Sequence, residues 1–488
     1  MSAVSTETLR PARTPFGVGF LRRHSDLWLA FALGSLVGLL ILTLPMQAAL
    51  STAVVGAFVL IMLVDTRVAL FALLLVRATV DVFATVPILN IEGFTPNALM
   101  SLLVIALGAV HIAANRINIR RIPLASPFAI FVAVGFLGLA MSPSKADALE
   151  DWLRIVSAFL IFVVVVDLMR TEAERRWLLR VIVLSSVLPL SVGMYQYVTG
   201  QGFDDLEEAG IARVLATFVH PSPYAFYLVQ IVPLVLLLLV HAQSRLLRLG
   251  LAVMLPVMVL SIYATQTRGA WIGLVVMIAV FMWFRAKWTL LFIPMFLLAA
   301  YIGMADVRTR VSAATSGSCE SVTYCESSVL WRAKQWERTV ELPNPVELVT
   351  VGAGLHSVFA TYGEFTHNEY LRLLVETGLI GLAATLVLYG SLFNLARKGF
   401  REAEGNNPFK RDLMLAFLMA FAARALMSGA DNLLVITVLE WYFWAFAAVV
   451  VVESGAYDRL AHIQDGSRKP MSTGAVPRPA LVSEAAPA

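Results

Sequence analysis

The chain has 488 residues, 59% of them hydrophobic and only 14% charged, and its mean hydropathy of +0.78 lies far above that of water-soluble proteins. The formal charge of +4 does not mark a nucleic-acid binder, because Lys and Arg are scattered among short segments between apolar runs instead of forming one face. The composition reads as an all-α polytopic integral membrane protein.

Residues 1–24 are polar and basic, end in Arg22-Arg23-His24, and read as a cytoplasmic tail. The run Leu27 to Leu44 is longer than a secretory h-region and is followed at once by a second apolar run, so it reads as a retained span. Further spans are expected at about 48–64, 68–86, 96–114, 124–141, 152–169 and 177–198, then at 223–241, 249–267, 270–284 and 288–304. Residues 25–304 thus form an N-terminal transmembrane bundle. A long polar segment, 305–366, precedes C-terminal spans within 367–453, at about 367–393, 412–428 and 434–453. The total is about 12–14 transmembrane helices. From 454 to 488 the chain is rich in Pro, Ala and Ser and reads as a disordered cytoplasmic tail.

Most of the 37 Lys and Arg fall in segments that share one side if the N-terminus is inside, among them Arg116/Arg120/Arg121, Arg170/Arg175/Arg176 and Arg397/Lys398/Arg401. Both termini are then cytoplasmic. The same reading puts Arg213, Arg268, the 305–366 loop and His367 together on the outer side.

Within the outer loop, Ser327 to Val340 has Leu330, Trp331, Ala333, Lys334 and Trp336 spaced as a short amphipathic helix. It is expected to lie at the membrane surface with both tryptophans at headgroup depth. Cys319 and Cys325 are the two cysteines of the chain. If the loop is extracytoplasmic they form a disulfide closing a small loop, worth roughly 2 kcal/mol in a chain-entropy estimate. Gly352 and Gly354 read as a flexible joint more than as a phosphate cradle. Elsewhere, Arg77 and Asp81 stand four apart and can neutralise each other, while Arg154, Arg372 and Arg424 are candidates for lining a cavity. His220 reads as structural, beside a helix start.

Thr366-His-Asn-Glu369 has the spacing of a capping box, which makes His367 the first residue of a helix. The positive end of the helix dipole opposes a charge on its imidazole and favours the neutral form, which can take a proton. Glu369 then belongs to the cap and Glu376 to a buried pair. Arg268 stands between two apolar runs on the side where the distribution of positive charge does not require one. Arg213 follows an acidic stretch, Asp204 to Glu208, and either pairs with it or joins Arg268 in holding a pyrophosphate.

The run His367-Asn368-x-Tyr370-Leu371 with Glu376-x-Gly378-x-x-Gly381 resembles the signature of the O-antigen ligase and polymerase superfamily. Arg213 to Pro223 and Thr267-Arg268-Gly269-Ala270-Trp271 fit it as well. The resemblance covers roughly positions 200–450 and implies a membrane-embedded glycosyltransferase of GT-C-like type, with a large periplasmic loop, in the bacterial inner membrane. It implies that Arg268 and Arg213 bind the pyrophosphate of an undecaprenyl-pyrophosphate-linked glycan. His367 is then general base on an acceptor hydroxyl, and Asn368 and Tyr370 orient that acceptor, a lipid A core sugar or another lipid-linked repeat unit. The reaction so read inverts the anomeric centre and needs no metal and no cofactor. No Asp-x-Asp or His/Glu cluster at ligand spacing stands on the outer side. A transporter or lipid-glycan flippase is the rival class. Its related halves and midplane helix breaks are not evident, and the suggestive residues gather at one face instead.

Overall fold

The computed structural model describes residues 65–81, 96–200, 213–315, 327–403 and 407–457, with isolated positions between 56 and 62. The first expected span, most of the second, the N-terminal tail, residues 458–488 of the C-terminal tail, the stretch Asp204 to Glu208 and the cysteine pair lie outside these residues. The described chain is helical and contains no strand. The early helices are α1 (Thr66–Val80), α2 (Pro96–Asn115), α3 (Ala125–Met141), α4 (Lys145–Leu168), α5 (Glu172–Leu184) and α6 (Val187–Thr199). After them come α7 (Pro221–Val240), α8 (Arg245–Ala264), α9 (Arg268–Arg285) and α10 (Phe292–Gly303). Four short helices follow: α11 (Ala305–Thr315), α12 (Ser328–Val340), α13 (Pro345–Val349) and α14 (Ser357–Tyr362). The last three are α15 (Glu369–Glu402), α16 (Pro408–Ser428) and α17 (Thr437–Glu453).

Six of the described helices are long and apolar enough to cross a bilayer. With the shorter apolar ones they make a multi-pass membrane protein. The centre is occupied by α17, which is buried on every side against α4, α7 and α16. A helix that is apolar all round belongs in such a place. Its polar atoms find partners there, since Trp441 Nε1 donates to Ser157 Oγ at 2.9 Å and Gln230 Nε2 donates to the Leu439 carbonyl at 3.1 Å. At the periphery the pattern reverses: Leu246 and Val253 of α8, Ile272 of α9 and Phe296 of α10 expose their side chains, as lipid-facing helices do.

Helix ends are set locally. Thr171 and Glu174 form a capping box at α5, His220 caps α7 ahead of Pro221 at the first turn, and Asn407 caps α16 ahead of Pro408. The structure bears out the Arg77–Asp81 pair at 3.2 Å. Arg424 pairs with Glu440, Arg154 with Glu150 and Asp151, and Arg372 with Glu369 and Glu376, so all three expected cavity arginines are held in ion pairs.

The last third of the fold turns on Gly378. Its φ of 66° and ψ of −175° break α15 into two halves, Glu369 to Thr377 and Leu379 to Glu402. A Cβ there would stand 2.1 Å from the Thr350 carbonyl oxygen. Into the break fits the segment 350–356. Ala353 N donates to Val375 O at 2.8 Å, Gly354 N to Glu376 O at 3.1 Å, and Ile380 N to Thr350 O at 3.4 Å. Those bonds satisfy backbone groups that the broken helix would leave unpaired in a membrane. Gly352 and Gly354 are therefore not a loose joint. Each has positive φ and approaches backbone so closely that a Cβ would lie 2.4 Å from an atom of the α15 backbone or of Ser142.

Candidate active site

Four segments distant in sequence meet at one end of the helices. The first is the turn between α8 and α9. Thr265 closes α8, Gln266 takes φ 53°, and Arg268 begins α9. The second is the extended stretch from Arg213, held on that turn by Val214 N to Ala264 O at 3.2 Å and fixed at Ala216 by the side chain of Gln196. Arg213 is buried, with Nε donating to the Thr265 carbonyl at 2.9 Å and Nη2 to Thr267 Oγ1 at 3.2 Å. Both arginines thus flank one three-residue turn, and the positive end of the α9 dipole adds to their charge.

The third segment is Thr366-His367-Asn368, and here the structure corrects the capping reading. Asn368, not Thr366, caps α15, accepting from Leu371 N at 3.1 Å, and the helix begins at Glu369. His367 precedes the helix with φ 48°, a left-handed conformation that His adopts more readily than most residues. Glu369 is turned inward, where Arg372 spans it at 2.6 Å and Glu376 at 2.8 Å. The other oxygen of Glu369 accepts from Leu434 N at 2.9 Å. Tyr370 donates its hydroxyl to the Ala425 carbonyl at 2.7 Å. The polar groups of Asn368 and Tyr370 thus hold the start of the helix in place.

The fourth segment is the α16–α17 connection. Asn432 Oδ1 accepts from His367 N at 2.7 Å, and its Nδ2 donates to Thr366 Oγ1 at 2.9 Å. Asp431 Oδ1 lies 3.1 Å from His367 Nδ1. A carboxylate can only accept, so the proton sits on Nδ1 and Nε2 is left as the basic nitrogen. Burial pushes the Asp431 carboxyl up. The hydrogen bond and charge of His367, the Asn432 amide and the nearby Arg332 outweigh burial and hold it below the ordinary carboxylate range. The imidazole side chain is 32% exposed, open enough to meet a substrate.

Helix α12 ties these segments together. Arg268 Nη2 donates to Ser328 Oγ at 2.7 Å, at its first turn. One turn on, about 5 Å along the axis, Trp331 packs edge-on to His367 with ring centroids 5.5 Å apart. Trp336 Nε1 donates to the Thr366 carbonyl at 2.8 Å. Both tryptophans are therefore half-buried and packed on the His367 turn. Independently, a Cβ on Gly269 would lie 4.0 Å from that of Ala430, so Arg268 and Asp431 each adjoin one member of a close pair.

The structure thus brings together Arg213, Arg268 and His367, and it adds Asp431 and Arg332. In the sequence, Asp431-Asn432 reads either as a contact for sugar hydroxyls or as an ordinary turn between the last two spans. The signal for Asp431 was an acid at the end of a span with no basic residue within six positions on either side. Among the described residues no three His, Cys, Asp or Glu side chains gather as a metal site needs.

Residues 253–386 match the family model described as O-antigen ligase. The chain carries an O-antigen ligase family domain. No curated protein matches the chain. The O-antigen ligase match contains Arg268, all of α12, the inserted segment 350–356 and His367. Arg213 and the Asp431–Asn432 turn lie outside it and come to the same place through the fold.

Proposed function

We propose that the protein joins a glycan carried on undecaprenyl pyrophosphate to a sugar hydroxyl at the outer face of the cytoplasmic membrane. The observation that carries this reading is the His367–Asp431 pair set under the same short helix that holds Arg268, with Arg213 on the turn just before Arg268. His367 Nε2 takes the proton of the acceptor hydroxyl as its oxygen attacks the anomeric carbon. The bond from that carbon to the phosphate oxygen breaks, and undecaprenyl pyrophosphate leaves with the electron pair. Attack opposite the leaving group inverts the centre. Asp431 holds the Nδ1 proton and stabilises the imidazolium that forms. Arg268, Arg213 and Arg332 offset the charge that develops on the pyrophosphate, which serves in place of a general acid. One such base contributes about 10²- to 10⁴-fold.

The preferred acceptor is a lipid A core sugar, which makes the protein an O-antigen ligase of lipopolysaccharide biosynthesis. A polymerase extending another lipid-linked repeat unit needs the same donor site and base. The described basic residues at the far helix ends, Arg170, Arg245 and Arg285 among them, support a cytoplasmic far side and a periplasmic site. A transporter needs a midplane site open to alternating sides, whereas these residues all stand at one end of the bundle.

The test is transfer by purified protein from an undecaprenyl-pyrophosphate-linked glycan to core oligosaccharide and to a second lipid-linked repeat, with chelator present. Wild type, His367→Ala, Arg268→Ala and Arg213→Ala are compared. Product from wild type and its loss in all three folded variants supports the proposal. Full activity in His367→Ala removes the base, and no transfer by wild type to either acceptor returns the transporter reading.

A further inference from the structure

Helix α12 is built inside out. Successive residues turn by about 100°, so Ser328, Arg332, Gln335 and Thr339 share one stripe, with Trp331 and Trp336 on its two sides. This polar stripe faces the protein: Gln335 and Thr339 are fully buried. The opposite face, with Val329, Leu330 and Val340, is exposed at 54%, 44% and 43%. A helix packed on an apolar core has the reverse arrangement. Polar groups pointing inward belong over a polar ligand.

The other members of the inward stripe are engaged, Ser328 and Arg332 by the site and Thr339 by its own helix. Ser328 meets Arg268, Arg332 acts electrostatically on Asp431, and Thr339 Oγ1 donates to the Gln335 carbonyl at 2.6 Å. The Gln335 side chain is the exception. It is 0% exposed, and among the described residues neither its Oε1 nor its Nε2 has a hydrogen-bond partner. A buried amide in that state is a standing cost to the folded protein unless something else pairs with it. Its position narrows what that partner is. Trp331 on one side touches His367, and Trp336 on the other bonds Thr366, so Gln335 stands above the Thr366–His367 turn.

We infer that Gln335 is a specificity-determining residue that reads a sugar at His367. The inference rests on the glycan-transfer reading above. A primary amide offers donors on Nε2 and an acceptor on Oε1, which suits adjacent hydroxyls or a hydroxyl beside an acetamido group. The pyrophosphate has arginines to bind it and offers no donor for Oε1. Both the donor's first sugar and the acceptor bring hydroxyls to this place, and the amide pairs with whichever stands under α12. Helix α12 rests on the turn through Trp331 and Trp336, so the inference includes a movement of α12 that admits the sugar to Gln335.

The experiment uses full-length wild type and Gln335→Met in lipid nanodiscs. Equilibrium binding is measured for undecaprenyl-pyrophosphate-linked oligosaccharide, for undecaprenyl pyrophosphate without sugar, and for core oligosaccharide. Thermal melting is followed in parallel. Met keeps the length and volume of Gln while removing the unpaired amide. The expected result is a loss of about 5- to 20-fold in affinity for one sugar-bearing ligand, with undecaprenyl pyrophosphate itself bound within twofold of wild type. Melting is expected to be no lower than wild type. Weakened binding of the donor glycan assigns the amide to the donor sugar, and weakened binding of core oligosaccharide assigns it to the acceptor. Unchanged affinity for both, or a fall in melting temperature with equal losses for all three ligands, overturns the inference. Gln335→Glu, which keeps shape and acceptor but loses the donor, decides the matter by the same criteria if Gln335→Met does not fold. A wild type that binds glycan but transfers none sinks the transfer reading while leaving the binding comparison intact.

Discussion

Replacing Asp431 by Asn separates the orienting carboxylate from the base it supports. In the reaction His367 becomes an imidazolium 3.1 Å from a carboxylate oxygen. The side chains are 32% and 18% exposed, so the local screening lies between that of a protein surface and that of water. With an effective dielectric of about 40–80, Coulomb's law gives roughly 1–3 kcal/mol for that contact. The neutral amide forfeits this, which corresponds to about 10- to 100-fold in kcat. A second effect adds to it. The Asn amide is able to donate to Nδ1, which moves the ring proton to Nε2 and blocks the base. The donor and acceptor contacts are untouched, so KM for each is expected within about threefold of wild type. Initial rates at saturating donor and varied acceptor, then the converse, measure both quantities. A kcat within twofold of wild type in folded Asp431→Asn would refute the role given to this carboxylate.

Four further outcomes follow from the surrounding structure. Gly378→Ala places a Cβ 2.1 Å from the Thr350 oxygen in a conformation suited only to glycine, and is expected to destabilise by at least about 3 kcal/mol. Gly390→Ala in the same helix meets nothing within 4 Å and is expected to be neutral or to stabilise by about 0.5–1 kcal/mol, as read by melting in detergent. Arg372→Met leaves Glu369 and Glu376 buried without their cation, at a cost of about 3–5 kcal/mol, and is expected to lower yield of folded protein. His356 is pulled down by burial but raised more by its hydrogen bond to Asp151 at 3.1 Å and by that residue's charge, so its net shift is upward. The stability it contributes is fully present below its unfolded value of about 6.5 and is lost as pH rises through the folded value. The drop in melting temperature from pH 6 toward pH 8 is therefore expected to be smaller in His356→Gln than in wild type.

The helices were legible because lipid enforces long apolar runs, and most expected spans from 96 onward fall on a described helix, although 177–198 covers two, α5 and α6, and 367–393 contains the break at Gly378. The arginines and His367 were legible because a charge at the outer end of a span has few structural reasons to be there. What stayed hidden was pairing across distance. Thr366 and Glu369 have capping-box spacing, yet Glu369 is drawn inward by Arg372 and by the Leu434 amide, a partner 65 residues away. The cap then falls to Asn368. The amphipathic pattern of α12 likewise told that one side differs from the other. Which side faces protein depends on whether a core or a polar site lies beneath it, and a single helix does not encode that.

The arrangement also separates binding from chemistry. Among the described residues, Arg213, Arg268 and Arg332 with the positive end of the α9 dipole stand around the carboxylate of Asp431. In the proposed transfer the arginines attract the pyrophosphate of donor and product alike, and attraction common to both does not speed the step. The part that does is the interaction with charge arriving on the bridging oxygen as the bond to the anomeric carbon opens. That part needs fixed donors. Arg213 has its Nε and Nη2 tied to the Thr265–Thr267 turn, and Arg268 is tied to Ser328 on α12. Because Trp331 and Trp336 of the same helix hold the His367 turn, the geometry of base and leaving-group donors is set by one element. A substrate that seats α12 correctly aligns both at once, and one that does not misaligns both.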